Sequence, residues 1–263
     1  MHRYIKATIK ACEKASGNIR RDLNEVLHLQ TSRNLKGFLQ SSQLRFEKNI
    51  ANELTSETIN IFICNRDGEH KNIIGYEVQK RDFRTNNSYC FVVGIDNMIN
   101  LAHGIEHVGF SILFSSESNA ENMDNIISAA ICIPASNTIV YSDNIEETYL
   151  FGIDGYNRRL KVNSTVNISL PSVLCAADGI HHELTKYSVK RDIHFVSTGS
   201  ILCDAVRVLK NKIDIAWHTI PNNLEYLSAI RRLIYAAGGA DAFVDNAYVF
   251  GKKAIVQSIV NKI

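Results

Sequence analysis

The sequence has little proline, little methionine and a single tryptophan, and it has no excess of charge of either sign. Its 263 residues include 3 Pro, 3 Met and 1 Trp, and the formal net charge is +2 at pH 7. So small a charge gives no sign of the strong basic surface that nucleic-acid binding proteins carry. The basic runs are short and separated, which is typical of solvated surfaces. We find no internal repeat and no linker.

Long apolar runs and cysteine motifs are also missing. No stretch approaches the roughly 18 consecutive apolar residues that a membrane span needs. The N-terminal segment MHRYIKATIKACEKASGNIRRDL lacks the uninterrupted apolar core of a signal peptide. The 6 cysteines form no CxxC pair and lie mostly in apolar stretches, where a thiol behaves as a small hydrophobe. We therefore expect a cytoplasmic protein with buried, free thiols and no membrane partner.

An ordinary globular composition remains once these classes are excluded. Apolar residues make up 45% of the chain and charged residues 21%, which suits a protein with a sizeable buried core. The length fits a single domain of two intimate halves, a larger one over about 1–145 and a smaller one over about 146–263. We therefore treat residues 1–263 as one folding unit.

Hydrophobic periodicity predicts a helical N-terminus followed by a sheet. Apolar positions recur near helical spacing from Tyr4 to about Leu29, as one long helix or two abutting ones, and a second helix is predicted over 44–54. Strands are predicted at INIFIC, SYCFVVGID, GFSILFS, IISAAICI, IVYS, TYLFGI and RLKVN. The last third predicts, in order, the strand DIHFVSTG, the helix SILCDAVRVLK, the strand IDIAWH, the helix LEYLSAIRRLIYAAGG, the strand DAFVD and a closing segment AIVQSIVNKI. This mixture without regular alternation favours a layered α+β or α/β fold over a Rossmann sheet.

The segment 90–104 carries the most specific motif of the chain. CFVVGIDNMINLAHG resembles, without a gap, the pattern Trp-x-x-Asp-Pro-Ile-Asp-Gly-Thr-x-Asn-Phe-x-His-Gly of the inositol monophosphatase family, including its bacterial SuhB-type branch. The retained positions are Ile95, Asp96, Asn100, His103 and Gly104. IIGYE, GSILCDAVRVLKNKIDIAW and LEYLSAIRRLIYAAGG are similar to three further family motifs. The resemblance spans nearly the whole chain and implies alternating α/β/α/β/α layers and a homodimer.

The resemblance also implies a chemistry, the magnesium-dependent hydrolysis of phosphate monoesters. Magnesium is a hard ion that prefers oxygen ligands in octahedral geometry, so such a site depends on carboxylates. Three of the family's ligand positions hold other residues here, because a Glu and two Asp of its motifs correspond to Tyr76, Val93 and Tyr226. Among these ligand positions only Asp96 keeps its carboxylate. We therefore expect magnesium binding to be weak or absent.

Two positions with other roles in the family have also changed. The Thr that helps to orient the attacking water corresponds to Met98, and the Asp of a Thr-Glu-x-Asp helix start corresponds to Gln43. Glu77 lies beside an altered position, but it would have to shift register to point into the site. Asp96 and Glu77 are the candidate metal ligands.

Part of the site could still hold an anion. Asn97 and Met98 begin a predicted helix, whose free backbone N–H groups can bind an anion whatever the side chains are. The resemblance adds the loop before SILCDAVRVLK, together with a histidine near the position of a substrate-contacting Glu. The candidate ligand-binding residues are Asn97, Met98, Gly199, Ser200 and His218. The alternative is a helix start packed in the core, with Asn97 and Asn100 as polar caps.

Histidine and cysteine chemistry has less support. His103 and His107 are four residues apart, a spacing that can seat zinc on one helix face, but Gly104 interrupts the segment between them. No cysteine has a local motif for a nucleophile. Trp217 is interpreted as a core residue of an apolar strand, although it could line a pocket mouth.

Three functional hypotheses follow. We favour a family member that has lost magnesium-dependent phosphatase activity and serves a binding or regulatory role; by analogy with SuhB-type proteins, its partner would belong to the transcription machinery. The first alternative is an active magnesium-dependent phosphatase of inositol or sugar monophosphates, with ligands from other positions or from a partner subunit. The second alternative is a sensor of a phosphorylated small molecule.

Overall fold

The described part of the chain contains six helices and two sheets. The computed structural model describes residues 3–29, 34–54, 60–64, 70–72, 89–118, 120, 122–143, 146–152, 156–162, 172–177, 192–222 and 224–261. The helices within these ranges are α1 (Arg3–Leu29), α2 (Leu35–Leu54), α3 (Met98–Ala102), α4 (Ile201–Leu209), α5 (Glu225–Ala236) and α6 (Lys253–Val260). A short 3-10 helix spans Met123–Asn125.

The larger sheet has eight strands. They are β1 (Asn60–Cys64), β2 (His70–Asn72), β3 (Tyr89–Val93), β4 (Phe110–Ser115), β5 (Ile126–Ile133), β6 (Thr138–Ser142), β7 (Thr148–Leu150) and β8 (Arg158–Leu160). Their spatial order is β2-β1-β3-β4-β5-β6-β7-β8. β1 and β3 run parallel, and the remaining neighbours in this order pair antiparallel. The carboxyl ends of β1 and β3 therefore meet at one edge of the sheet.

The smaller sheet has five strands. They are β9 (Ser172–Ala177), β10 (Asp192–Val196), β11 (Ile215–Thr219), β12 (Ala240–Val244) and β13 (Ala247–Gly251). The order is β10-β9-β11-β13-β12, with β9 parallel to both its neighbours and β13 antiparallel to both of its own.

The helices and sheets form five alternating layers. α1 and α2 pack on the outer face of the larger sheet, α4 and α5 lie between the two sheets, and α6 packs on the outer face of the smaller one. Three apolar clusters fill the interfaces between these layers. This arrangement confirms the α/β/α/β/α architecture that the resemblance implies.

The larger sheet has apolar side chains on both faces, and each face packs against a layer of helices. On β4, Ile112 and Phe114 face α1 and α2, whereas Leu113 faces α4 and α5. On β5, Cys132 faces α1 and α2, whereas Ile131 faces α4 and α5. Because successive residues of a strand point to opposite faces, a strand buried on both faces is apolar throughout. Hence FSILFS and IISAAICI are nearly continuous apolar runs.

Most of the predicted elements are confirmed, with one wrong boundary and three missed strands, of which the short β2 is one. α1 is one continuous helix, whereas α2 begins at Leu35 rather than at 44. Before Phe46, the buried residue of α2 is Ser42. Leu35, Phe38 and Leu39 have helical spacing but are only half-buried, and this weaker pattern was missed. β9 and β13 were not predicted; β13 follows β12 after a two-residue turn in which Asp245 has a φ of 51°.

Two composition-based expectations can be compared with the structure. All six cysteines are buried and free, as predicted. Within the described ranges, no helix combines the length and the hydrophobicity needed to cross a bilayer.

Candidate functional site

A cleft of about 250 Å³ opens beyond the carboxyl ends of β1 and β3. α2 contributes Gln43 and Glu47 to its walls, and the loop after β3 contributes 94–96. Met98 of α3 and Tyr226 of α5 complete the described lining together with the last residue of β1. Ligand sites of α/β proteins commonly lie at the carboxyl ends of parallel strands, so this cleft is the candidate functional site.

Asp96 forms three hydrogen bonds with other parts of the chain. Its Oδ1 accepts from the amide of Gly109 at 2.8 Å, and its Oδ2 accepts from the Ser200 hydroxyl at 2.5 Å and from the Leu202 amide at 3.2 Å. Ser200 is the N-cap of α4, and its Oγ accepts in turn from the amide of Cys203. A carboxylate is favourable at a helix N-terminus. Asp96 thus connects the loop after β3 with the start of β4 and with α4.

The environment of Asp96 shifts its titration. Burial raises the pKa of Asp96 from its ordinary value of 3.8 to about 6. The hydrogen bonds from Ser200, Gly109 and Leu202 oppose this shift in pKa, whereas the charge of Asp204 adds to it. The carboxyl group therefore remains mostly ionised at neutral pH.

Two asparagines of the motif hold the loop that precedes α4. Asn97 is the N-cap of α3, and its Oδ1 accepts from the Asn100 amide at 2.9 Å. Its Nδ2 donates to the carbonyl of Gly199 at 2.7 Å. Asn100 Nδ2 donates to the carbonyls of Thr198 at 2.9 Å and His107 at 2.6 Å. Two candidate ligand-binding residues, Asn97 and Gly199, therefore contact each other directly.

The turn before α4 requires a glycine. Gly199 has a φ of +72°, and a Cβ at this position would lie 2.8 Å from Nδ2 of Asn97. Both the left-handed backbone and the close approach of the amide exclude a larger residue. The turn brings Ser200 to the carboxylate of Asp96.

A buried polar chain continues from this turn into the layer between the sheets. Thr198 Oγ1 donates to Asp204 Oδ1 at 2.9 Å, and Nε2 of His218 lies 3.1 Å from Asp204 Oδ2. Asp204 is 0% exposed and His218 is 1% exposed. The side chain of His218 is thus enclosed within the core, where it links β11 to α4. Its predicted role in ligand binding stays a prediction.

The structure brings together several of the positions that the motif resemblance identifies as altered. Met98, Tyr226 and Gln43 line the same cleft as Asp96. Val93 is 3% exposed and packs in the apolar cluster between the sheets. The predicted positions Tyr76 and Glu77 lie outside the described residues.

Glu47 is a cleft residue that the sequence reasoning missed. It is 8% exposed, and its Oε1 accepts from Nε2 of Gln43 at 3.0 Å. The two residues are four apart on α2, so they lie on the same face of the helix. The sequence could have indicated Glu47, because it lies four residues after Gln43, which the motif resemblance already places at the site.

The described residues do not fit a two-metal site. Among them, Asp96 and Glu47 are the carboxylates that line the cleft, and both oxygens of Asp96 already accept hydrogen bonds. Met98 offers a thioether, which is a poor ligand for a hard cation. No group of three or more His, Cys, Asp or Glu side chains in the described ranges could hold a metal ion.

The histidine pair gives no support to a zinc site. His103 is exposed at the C-cap of α3, and Gly104 follows with a φ of +67°. The helix therefore ends between the two histidines. Trp217 is 1% exposed and packs between the smaller sheet and α6, so it is the predicted core residue.

Comparison with known proteins identifies the fold. No protein-family model matches the chain, and no curated protein matches it in sequence. The extragenic suppressor protein SuhB from Bartonella henselae is 17% identical, with 99% of this chain and 98% of that chain covered at a TM-score of 0.73. Inositol monophosphatase II from Staphylococcus aureus is 13% identical, with 96% and 90% covered at a TM-score of 0.67.

A third solved structure extends the similarity to a different phosphatase. Fructose-1,6-bisphosphatase from Leishmania major is 10% identical, with 98% of this chain and 94% of that chain covered at a TM-score of 0.66. Identities this low establish a shared fold and no shared activity. The chain therefore has the fold of SuhB and the inositol monophosphatases over nearly its whole length.

Proposed function

We propose that this protein has lost the magnesium-dependent hydrolysis of phosphate monoesters and that its cleft serves a binding or regulatory role. The observation that carries the proposal is the state of Asp96. Its carboxylate accepts hydrogen bonds from one hydroxyl and two amides. A carboxylate engaged in this way at the N-terminus of α4 stabilises the fold without a metal ion.

The groups around Asp96 support the same conclusion. Catalysis of phosphoryl transfer depends on cations that neutralise the phosphate and on positioning of the nucleophile. Met98 lies where the family has a water-orienting Thr and Tyr226 lies where it has an Asp, and both line the cleft. Met98 has no oxygen, and the neutral phenol of Tyr226 lacks the negative charge of the carboxylate that a magnesium site favours.

Glu47 supports a second candidate function. It places another carboxylate in the cleft beside Asp96, so a single divalent cation could be held there together with a phosphorylated ligand. The protein would then be a weak phosphatase of inositol or sugar monophosphates, or a sensor of such a compound.

We also propose that the protein is a cytoplasmic homodimer with a protein partner. Six buried free thiols suit a reducing compartment. The proposals of a homodimer and of a partner in the transcription machinery rest on analogy with SuhB-type proteins.

Calorimetric titration of the full-length protein with magnesium chloride, with and without inositol 1-phosphate, tests the proposal. Phosphate release from a panel of monoesters is measured in parallel. We expect no saturable magnesium uptake and no turnover above the blank, and the variants Asp96→Asn and Glu47→Gln should behave like the parent protein. Magnesium uptake with turnover that Asp96→Asn abolishes would overturn the proposal and favour the active phosphatase. Uptake that Glu47→Gln removes, without turnover, would favour the sensor.

A further inference from the structure

A second cleft, of about 420 Å³, lies between α4, the β5–β6 turn and the segment that precedes β4. The two clefts have no described lining residue in common. Its volume lies within the roughly 300–1,000 Å³ of small-molecule sites.

One face of α4 gives the second cleft an apolar wall with a basic edge. Cys203, Val206, Arg207 and Lys210 line it at the spacing of a single helix face. Lys212 adds a third cationic side chain just beyond the helix. On the described walls Glu106 is the one acidic residue, and it is exposed. On the described walls of the cleft, basic side chains therefore outnumber acidic ones.

Arg207 is a half-buried cation on this helix face. Its side chain is 31% exposed, and its Nη1 lies 4.0 Å from Asp204 Oδ1, beyond hydrogen-bonding distance. The Asp204 carboxylate already binds Thr198 and His218. The guanidinium group of Arg207 is therefore left with donors for a further acceptor.

The wall opposite α4 supplies hydroxyl groups and an imidazole. Ser136 Oγ donates to Thr138 Oγ1 at 2.8 Å, and both residues line the cleft. His107 is half-buried on the same lining. The hydroxyl of Thr138 donates only over 3.4 Å, to the Ser136 carbonyl, so it can turn to an oxygen of an anion that Arg207 holds.

Basic residues near a helix C-terminus often serve only to offset the helix dipole. Lys210 and Lys212 alone would meet that need, since they follow the last turn of α4. The dipole does not account for an enclosed volume with Arg207 on one wall and hydroxyl groups on the other.

We propose that this cleft, lined by Arg207, Lys210 and Lys212, binds a small phosphorylated metabolite. A phosphate monoester carries a charge of roughly −1.5 to −2 at neutral pH, and an arginine fork can bind two of its oxygens at once. The apolar wall of α4 leaves room for the organic part of the ligand. This site is separate from the cleft beside Asp96 and does not depend on its function.

Calorimetric titration of the full-length protein with glucose 6-phosphate tests the proposal, in low-salt buffer with EDTA so that no divalent cation contributes. Inorganic phosphate and glucose serve as the charged and uncharged fragments of the probe. We expect glucose 6-phosphate to bind more tightly than inorganic phosphate, and glucose not to bind. Arg207→Gln/Lys210→Gln should weaken the affinity by about tenfold or more, since two charged contacts are lost.

The double variant Lys6→Gln/Lys253→Gln is the matched control, because it removes the same charge at two exposed positions. It should change the affinity by no more than about twofold, because salt screens an exposed charge that lies far from the ligand. Equal losses in both double variants would reduce the binding to general charge attraction and overturn the proposal. Binding that survives Arg207→Gln/Lys210→Gln, or no binding by the parent protein, would overturn it as well. If Arg207→Gln/Lys210→Gln does not fold, the affinities of two single variants at exposed residues are compared instead. Lys212→Gln should then weaken the binding of glucose 6-phosphate more than Lys253→Gln does.

Discussion

Replacing Asp96 by asparagine should alter how the stability of the protein depends on pH. The pKa of the folded carboxyl is about 6 because burial disfavours its charged form, whereas an unfolded Asp has a pKa of about 3.9. The folded state therefore binds a proton more tightly than the unfolded state does. Stability from this group is fully present below the unfolded pKa and is lost as the pH rises through the folded pKa.

The size of the effect follows from the two pKa values. At about pH 8 neither state is protonated, so Asp96 makes no pH-dependent contribution. At about pH 5 the folded carboxyl is roughly nine-tenths protonated and the unfolded one is less than about one-tenth protonated, which stabilises the fold by about 1–2 kcal/mol relative to pH 8. For a domain of this size, that corresponds to a rise in Tm of about 2–4 °C.

Urea denaturation in EDTA at about pH 8 and about pH 5 measures the effect. Many other carboxyl groups titrate over this range. The relevant quantity is therefore a difference: the change in the free energy of unfolding between the two pH values in the parent protein, minus the same change in Asp96→Asn. The difference should show the parent gaining about 1–2 kcal/mol at the lower pH, because asparagine cannot titrate. The reasoning would be refuted if the parent and Asp96→Asn showed the same pH dependence of stability, or if the parent gained stability relative to the variant at the higher pH.

Two further substitutions test the contacts around the site. Gly199→Ala should lower the free energy of unfolding by about 1–3 kcal/mol, since its Cβ would lie 2.8 Å from Nδ2 of Asn97. Gly238→Ala, with a φ of +83° and no heavy atom within 4 Å of the added Cβ, is the control, and an equal loss in both would contradict the clash. Asp204→Ala leaves buried donors, including His218, without their acceptor, and denaturation should show a loss of about 2–4 kcal/mol; a loss below about 1 kcal/mol would contradict the role of this pair.

The strands buried on both faces were the easiest elements to predict. IISAAICI coincides with β5 because both of its faces contact apolar layers, and so the whole run is apolar. The first half of α2 was harder to find, because Leu35, Phe38 and Leu39 are only half-buried and the polar run 40–43 follows them. The turn at Asp245 also went unnoticed, since its left-handed backbone is set by the pairing of β12 with β13.

The candidate site was predictable where the motif spacing was kept. Asp96, Met98 and Tyr226 were assigned by alignment of motifs, and the structure places all three on one cleft. The hydrogen bonds of Asp96 were not predictable, because Gly109 and Leu202 contribute backbone amides that carry no signature in the sequence. The second cleft was missed for a related reason, since its basic residues and its hydroxyl groups come from segments far apart in the chain.

The three hydrogen bonds of Asp96 give this carboxylate a structural role that needs no metal ion. Asp96 holds the N-terminus of α4 through Ser200, and it holds the start of β4 through Gly109. Losing it would leave buried donors unpaired, which costs about 1–3 kcal/mol for each. Met98 and Tyr226 line the same cleft, and both pack against the apolar clusters. This structural role accounts for a carboxylate at position 96 whether or not the cleft holds a metal ion.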